Sequence, residues 1–337
     1  MTTPQELRLG HGGGGQLARD FIQHELLPRL DNPVLRALGD GAVLEFAGRR
    51  LAFTTDSFVV QPRFFEGGCI GSLAVNGTVN DLACCGARPR HLSLALIAEE
   101  GLSLDELRRI LDAVSLAARA AGVEVVCGDT KVVPRGQVDG LFINTAGIGE
   151  VAPGLDLGLH RVVEGDRLLV SGPIGDHGAA ILVARGQLGQ ARGVESDCAP
   201  VHELCAALVD LGPALHFLRD PTRGGLGGVT TEIADGARCA VHLDLRQIPV
   251  RPSTRAVCEL AGLDPLLLPC EGRVLAVVAA DQANEALTRW HGLDDGRQAA
   301  VVGSVAGGPA GQVVLATEAG TQRLFVLPME DPLPRIC

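Results

Sequence analysis

Four short stretches carry carboxylates in settings where turns are expected: Thr54-Thr55-Asp56-Ser57, Asn80-Asp81, Gly128-Asp129-Thr130-Lys131, and Arg219-Asp220-Pro221-Thr222-Arg223-Gly224-Gly225. Asp56, Asp81, Asp129 and Asp220 are hard oxygen donors of the kind magnesium recruits while it also holds a substrate's phosphates. Asp is equally an ordinary turn residue, so a single motif says little. Four of them, two beside glycine-rich segments, give the metal reading weight. Gly12, Gly13, Gly14 and Gly15 precede one expected helix, and Thr222, Gly224 and Gly225 precede another. Backbone N–H groups at such a helix start can approach an anion closely. No GxxxxGK[ST] occurs, which excludes a P-loop, and a glycine run is also a common flexible lead-in.

Lys131 is the only lysine among 29 basic residues. A chain that otherwise uses arginine, yet sets one lysine directly after Gly-Asp-Thr, points to a compact ammonium that makes a point contact or loses a proton; compositional accident is the alternative. Glu271, in Pro269-Cys270-Glu271-Gly272-Arg273, reads by itself as a turn residue ahead of an apolar strand. For His177, a capping or packing role weighs as much as a catalytic one. The chain ends in Pro-Arg-Ile-Cys, with Pro328, Pro332 and Pro334 spaced through the last ten residues. Residues 327–337 are expected to form an extended arm with a reach of roughly 30 Å at about 3.1 Å per residue. A prenylation motif needs its cysteine four residues from the end, so Cys337 is either a frayed end or a thiol able to dock, withdraw and carry a covalent group between sites.

These groups need a scaffold, and 337 residues exceed the roughly 250 to 300 at which single cores stop growing. Two α+β domains follow from the element pattern, the first with strands over 42–46, 50–60, 91–98, 123–127 and 141–148, a buried helix within 67–86, and a helix from Ser103. Glu106 stands at capping-box spacing from Ser103, and Leu104, Leu107, Leu111 and Val114 are assigned to one face. Residues 1–15 read as mobile and are followed by an amphipathic helix over 16–30. The expected organisation is a mobile glycine-rich segment and leading helix over 1–40, domains over 41–151 and 155–327, and a flexible tail over 328–337. The uncharged stretch 298–317 contains four glycines and a proline, so it reads as two short strands around a turn rather than a membrane span. A net charge of −11 with no basic stripe argues against nucleic acid. The N-terminal sequence lacks the pattern of a secretory signal, and ten cysteines without a CxxC pair suit a reducing cytoplasm better than disulfides or a zinc site.

With these pieces assembled, the sequence resembles the HypE family of hydrogenase expression/formation proteins, the carbamoyl dehydratases of NiFe-hydrogenase maturation, within the AIR synthetase-like (PurM-like) superfamily. The resemblance runs through HGGGGQ at 11–16, FTTDSFVV at 53–60, GTVNDLA at 77–83, GDTKVV at 128–133, LFINTAG at 141–147, GDHGAAI at 175–181, RDPTRGG at 219–225, EGR at 271–273 and PLPRIC at 332–337. GDTKVV together with terminal PRIC is specific to the family; the Asp and Gly motifs alone indicate the superfamily. The resemblance implies a homodimer joined through the N-terminal sheets, a C-terminal α/β sandwich, and ATP with magnesium as the working ligands. It implies that a carbamoyltransferase, HypF, loads Cys337, that ATP-driven dehydration gives a thiocyanate, and that a HypC–HypD scaffold receives the cyanide. Asp56, Asp81, Asp129 and Asp220 match the magnesium positions. Gly12 to Gly15, Asp81, Asp129, Thr130, Thr222, Gly224 and Gly225 match nucleotide positions, and Lys131 and Glu271 the positions near the thiocarboxamide. Cys270 and Arg273 stand where family members commonly carry Asn and Lys. Selenophosphate synthetase, whose reactive residue lies near its glycine segment, is the superfamily rival, but the first cysteine here is Cys69. A passive thiol carrier would leave the aspartates and Lys131 without a purpose, and a metallochaperone would need cysteine spacing that is missing.

Overall fold

Alternating apolar residues build the first domain around a five-stranded sheet. In the computed structural model, which describes residues 6–186, 188, 193–317, 319–331, 333 and 335–337, a helical stretch over 16–30 comes first. It contains α1 (Gln16–Phe21) and α2 (Leu27–Leu30), separated by a π turn over Ile22–Leu26. Then follow β1 (Ala42–Phe46), β2 (Arg49–Phe58), the two-residue strands β3 (Phe64–Phe65) and β4 (Gly68–Cys69), α3 (Ile70–Cys84), β5 (Ala87–Glu99), α4 (Leu104–Ala120), β6 (Glu124–Val133) and β7 (Leu141–Val151). The strand order is β1-β2-β7-β5-β6, antiparallel except for the parallel β5–β6 pair, which α4 connects as a crossover.

Helices α3 and α4 cover one face of this sheet. On α4 the buried stripe is Ile110, Val114, Ala117 and Ala118, whereas Leu104 and Leu111 are exposed; only part of the expected face is therefore apolar contact. Ser103 does cap the helix, by accepting from the Asp105 N–H, while Glu106 pairs with Arg63 at 2.7 Å rather than closing a capping box. The other face of the sheet is bare in one chain, with Phe46, Phe53, Ile97 and Ile148 all exposed.

The second domain comprises β8 (Arg167–Val170), α5 (Asp176–Ala184), α6 (His202–Val209), β9 (Leu215–Arg219), α7 (Gly225–Gly236), β10 (Ala240–Asp244), α8 (Pro252–Ala261), β11 (Leu275–Val278), α9 (Ala283–His291), β12 (Ala300–Ala306), β13 (Gln312–Ala316) and β14 (Gln322–Phe325). Its seven strands run β14-β13-β10-β12-β8-β11-β9. Residues 298–317 do supply two strands, but β12 and β13 flank β10 instead of pairing with each other. Leu226, Val229 and Ile233 of α7 fill the core on one side of the sheet, and Leu204, Leu208 and Trp290 of α6 and α9 fill it on the other. Sandwiching both faces explains why β8 and β11 read as uninterrupted apolar runs.

A third cluster joins the domains. Phe58, Val60, Ile70 and Leu73 of the first meet Ala179, Ile181, Val257 and Leu268 of the second, and Leu333 and Ile336 of the tail are buried in the same cluster. Asn80 of α3, fully buried, donates to the carbonyls of Ala199 and Glu271 at 3.2 Å each and accepts from the Val201 N–H at 2.7 Å. One side chain thus ties helix α3 to the loop over 199–201 and to the loop that carries Glu271.

The tail is seen docked, with the apolar side chains of Leu333 and Ile336 buried in the interdomain cluster, which is one of the two positions expected of an arm able to dock and withdraw. The glycine-rich segment is held too: Leu9–Gly12 form a 3-10 turn, and the N–H groups of Gln16 and Leu17 donate to Pro328 and Met329 carbonyls of the tail at 3.1 and 3.0 Å. Residues 1–5 of that segment, and Pro332 and Pro334 of the tail, lie outside the described residues.

Candidate active site

The turn assignment of the aspartates holds for none of Asp56, Asp81 or Asp129. Asp56 lies in β2, Asp81 in α3 and Asp129 in β6, and Asp220 directly follows β9. The gain is precision, since regular elements fix a side chain better than loops do. Asp56 points toward α3, with its Oδ2 3.5 Å from where a Cβ on Gly77 would lie. Asp81 accepts from the Thr54 hydroxyl at 2.7 Å. Asp220, 4% exposed, stands where the domains meet.

Asp40, which the sequence reading passed over, completes the group. Its carboxylate pairs with Arg219 at 2.6 Å, and Arg219 also holds Glu232 at 2.6 Å. Donor atoms of Asp40, Cys84 and Asp220 all lie within 4.8 Å of one another. Burial raises the carboxyls of Asp40 and Asp81 well above the ordinary range, and neighbouring carboxylates add to the effect at each. Asp56 is raised by burial against the pull of Arg223. Asp220 is pushed up to about 6 by burial, opposed by Arg219 and reinforced by Asp56. Burial and mutual repulsion both disfavour the charged form of such crowded acids, and a cation placed among them would favour it.

Glu271 is 2% exposed, and its Oε1 has no hydrogen-bond partner among the described residues. Burial and then Asp220, Asp56 and Asp197 raise its carboxyl well above the usual value. Its backbone is fixed: the Glu271 N–H donates to Asp197 Oδ1 at 3.0 Å, and a Cβ on the following Gly272 would collide with the Asp197 carbonyl. Cys270 does not face the cleft. Its thiol is wholly buried and accepts from the Gly175 N–H at 3.1 Å, so it supports the turn into α5. Arg273 likewise points inward, donating to the Pro173 carbonyl at 3.1 Å.

Cys337 reaches this cleft. The Cys337 carbonyl accepts from the Val59 N–H at 3.0 Å. Burial and then Glu271 raise its thiol, while Arg223 pulls it the other way. Arg223 donates to the Gly12 carbonyl at 3.4 Å, and Gly14 lies so close against Arg223 and Gly224 that a Cβ there would collide with both. Gly14 also donates to Asp331 of the tail at 3.2 Å. Gly224 and Gly225, at φ of +79° and +58°, make the left-handed turn that opens α7, and Gly225 donates to Thr222 at 2.8 Å. One cleft therefore gathers Asp40, Asp56, Asp81, Asp220, Arg223, Glu271, the glycine segment and the terminal thiol.

Asp129, Thr130 and Lys131 are not brought there within one chain. Asp56 is in register with Thr145, Thr145 with Leu94 and Leu94 with Gly128, three strand spacings or roughly 14 Å. Thr145 faces α3, bonding to the Ala74 carbonyl at 3.2 Å. Asn144, in register with Ala95 and hence Asp129, accordingly points to the bare face. Asp129 and Lys131 are exposed and pair with each other at 2.9 Å, and Lys131's hydrogen bond is the main cause that lowers the Asp129 carboxyl. The Gly-Asp pair suggested a turn; instead β6 continues through it because pairing with β5 extends to Val133.

Comparison with known proteins accounts for this arrangement. Residues 38–151 match the AIR synthase related protein N-terminal domain and residues 163–316 the corresponding C-terminal domain. The carbamoyl dehydratase HypE of Rhodobacter capsulatus is 44% identical over 335 residues, covering 99% of this chain and 98% of the relative. A crystal structure of a HypE–HypF complex superposes with a TM-score of 0.87 at 41% identity, covering 91% of this chain and 99% of that one. A crystal structure of the hydrogenase maturation protein HypE in complex with ATP gives 0.82 at 44% identity, covering 98% and 100%. Two matched domains in their expected order, with identity sustained along almost the whole length, establish that the chain belongs to the HypE family of carbamoyl dehydratases.

Proposed function

We propose that this chain uses ATP to dehydrate a carbamoyl group carried on Cys337 to a thiocyanate, the cyanide donor for the iron of a NiFe hydrogenase. The observation that carries the reading is the seating of Cys337 beside Glu271 in a cleft rimmed by Asp40, Asp56, Asp81 and Asp220. An amide oxygen is a poor leaving group; transfer of the γ-phosphoryl group to it lets the oxygen depart as phosphate, and loss of the two N–H protons completes the C≡N bond. Glu271, buried and with no partner for its Oε1 among the described residues, is the residue suited to take a proton from the nitrogen. Gly12 to Gly15 and the Thr222 to Gly225 turn are suited to hold the phosphates and to exclude water that would hydrolyse the activated amide. Asp56, Asp81 and Asp220, with Asp40, fit magnesium by their hard oxygens and by the mutual repulsion a dication would relieve. Bound there, magnesium would neutralise phosphate charge.

The bare face of the first sheet and the exposed edge of β6 support a homodimer in which these faces cover each other. Asp129, Thr130 and Lys131 of one copy would then serve the cleft of the other, with Lys131 stabilising charge on the thiocarboxamide. The HypE–HypF complex supports a HypF-type transferase as the source of the carbamoyl group, and we assign a HypC–HypD scaffold as the acceptor of the cyanide. Ten unpaired thiols fit a reducing cytoplasm, and no described helix is long and apolar enough to cross a membrane.

The test is intact mass spectrometry after incubation with carbamoyl phosphate, the transferase, magnesium and ATP. Cys337 should gain a carbamoyl group and then lose one water only when ATP is present. An adduct that persists unchanged with ATP would mean a passive carrier, and absence of any adduct would reject the assignment.

A further inference from the structure

The last residues of the tail are gripped from two sides. The Cys337 carbonyl accepts from the Val59 N–H at 3.0 Å, and the Arg335 carbonyl accepts from the Gln61 N–H at 3.4 Å and from Arg185 Nη2 at 2.8 Å. Arg335 Nε returns a bond to the Val59 carbonyl at 3.1 Å. Arg335, at φ of +54°, turns the chain in the left-handed region, and the Ile336 carbonyl that lies between these two gripped carbonyls has a partner of its own. It faces His177, whose Nε2 lies 2.8 Å from it.

His177 is built to hold that one position. It stands in the first turn of α5, it is fully buried, and Phe65 packs edge-on against the ring at 5.3 Å between centroids. Its Nδ1 lies 2.8 Å from the Ser196 hydroxyl. A carbonyl can only accept, so Nε2 carries the proton and Nδ1 accepts from Ser196. Ser196 is itself fixed, donating its N–H to the Glu66 carbonyl at 2.9 Å and accepting from the Cys198 N–H at 3.1 Å.

We infer that His177 is the positioning residue for the reacting sulfur: by holding the Ile336 carbonyl between the gripped carbonyls of Arg335 and Cys337, it stops the tail from swivelling and aims Cys337 into the carboxylate cleft. The inference rests on the proposed role of Cys337 as carbamoyl carrier and adds the group that determines where the carrier stops. In this role His177 acts through the tail, by its contact with the Ile336 carbonyl. A displacement of about 1 Å at a reacting centre can cost on the order of 10²-fold in rate.

The test is single-turnover conversion of carbamoylated full-length protein with magnesium and ATP, comparing wild type, His177→Phe and His177→Gln. His177→Phe, which loses two buried hydrogen bonds and so some thermal stability, should still be carbamoylated as readily as wild type and keep its KM for ATP, yet form the nitrile roughly 10²-fold more slowly. His177→Gln, whose amide N–H can donate at the same reach, should recover most of the rate. Ser196→Ala, which frees the ring to rotate, should lie between them, and it decides the matter if His177→Phe does not fold. A His177→Phe or Ser196→Ala rate equal to wild type overturns the inference, as does equal loss in His177→Phe and His177→Gln with a lowered midpoint. Failure of wild type itself to form the nitrile would instead reject the proposed function.

Discussion

The cleft and the β6 edge contain the same residue types in opposite electrical conditions. In the cleft, Asp220 is pushed up to about 6 because burial and neighbouring acids outweigh Arg219. On β6, Asp129 is lowered because Lys131 donates to it in open solvent. The first group is short of positive charge, and in the second, among the described residues, the Lys131 ammonium pairs with its own neighbour Asp129. Each supplies what the other lacks, yet the sheet keeps them on opposite faces of one chain. The difference teaches that one chain keeps its acid-rich cleft and its Asp129–Lys131 pair on separate faces, so the proposed function needs a second copy to bring them together.

The most severe break in this comparison is removal of the cargo site. Cys337→Ser should abolish both the carbamoyl adduct and the nitrile, as read by intact mass; a nitrile formed on any other residue would displace Cys337 from the centre of the scheme. Lys131→Ala should retain carbamoylation and lose dehydration by roughly 10² to 10³-fold. If Lys131 acts across a dimer, mixing and re-equilibrating Lys131→Ala with Cys337→Ser should restore about a quarter of wild-type turnover, since half the dimers are mixed and each has one complete site. No recovery would confine Lys131 to its own chain.

Asp220→Asn sharpens the cleft side, because its two effects differ in sign. The folded state holds the Asp220 proton more tightly than an unfolded chain, in which Asp titrates near 3.8. This group therefore destabilises the ligand-free fold above pH 6, and the penalty fades as pH falls from 6 toward 3.8. Removing the charge should stabilise the ligand-free protein at pH 8 by up to about 3 kcal/mol while weakening the stabilisation conferred by magnesium and ATP, both measured by thermal unfolding. A variant less stable without ligand would show that Asp220 is satisfied by its present neighbours. The smallest effect is expected at the tail's outer contact: Arg335 and Asp139 pair at 2.9 Å but are both partly exposed, so Asp139→Ala should shift tail occupancy by less than about 1 kcal/mol, read by thiol labelling of Cys337.

Much of this fold was legible in the sequence because apolar periodicity is local. The strands over 42–46 and 141–148, the buried helix within 67–86 and the helix after Ser103 all follow from residue spacing. What was not legible depends on partners distant in the chain. Glu271 looked like a surface turn residue; it is buried because Asn80 and Asp197, from other segments, close over its backbone. Asp40 sits between Gly39 and Gly41, a setting indistinguishable from an ordinary turn until Arg219 is placed beside it. Gly128-Asp129 suggested a turn, yet ladder pairing carries β6 past it. The prolines of the tail correctly rule out a helix, but they carry no information on where Leu333 and Ile336 are buried.

The caps of the leading helix have a consequence for timing. Its first donors are satisfied by Pro328 and Met329 carbonyls rather than by its own side chains, so a tail that leaves the cleft, as the proposed function requires, would unfasten the glycine segment as it goes. Opening the cover and sending out the thiol would then be a single event, and ATP would not be sealed in during an errand when there is no acceptor to receive its phosphoryl group. Fuel economy would follow from the way the two ends of the chain are stitched together, without any separate sensor.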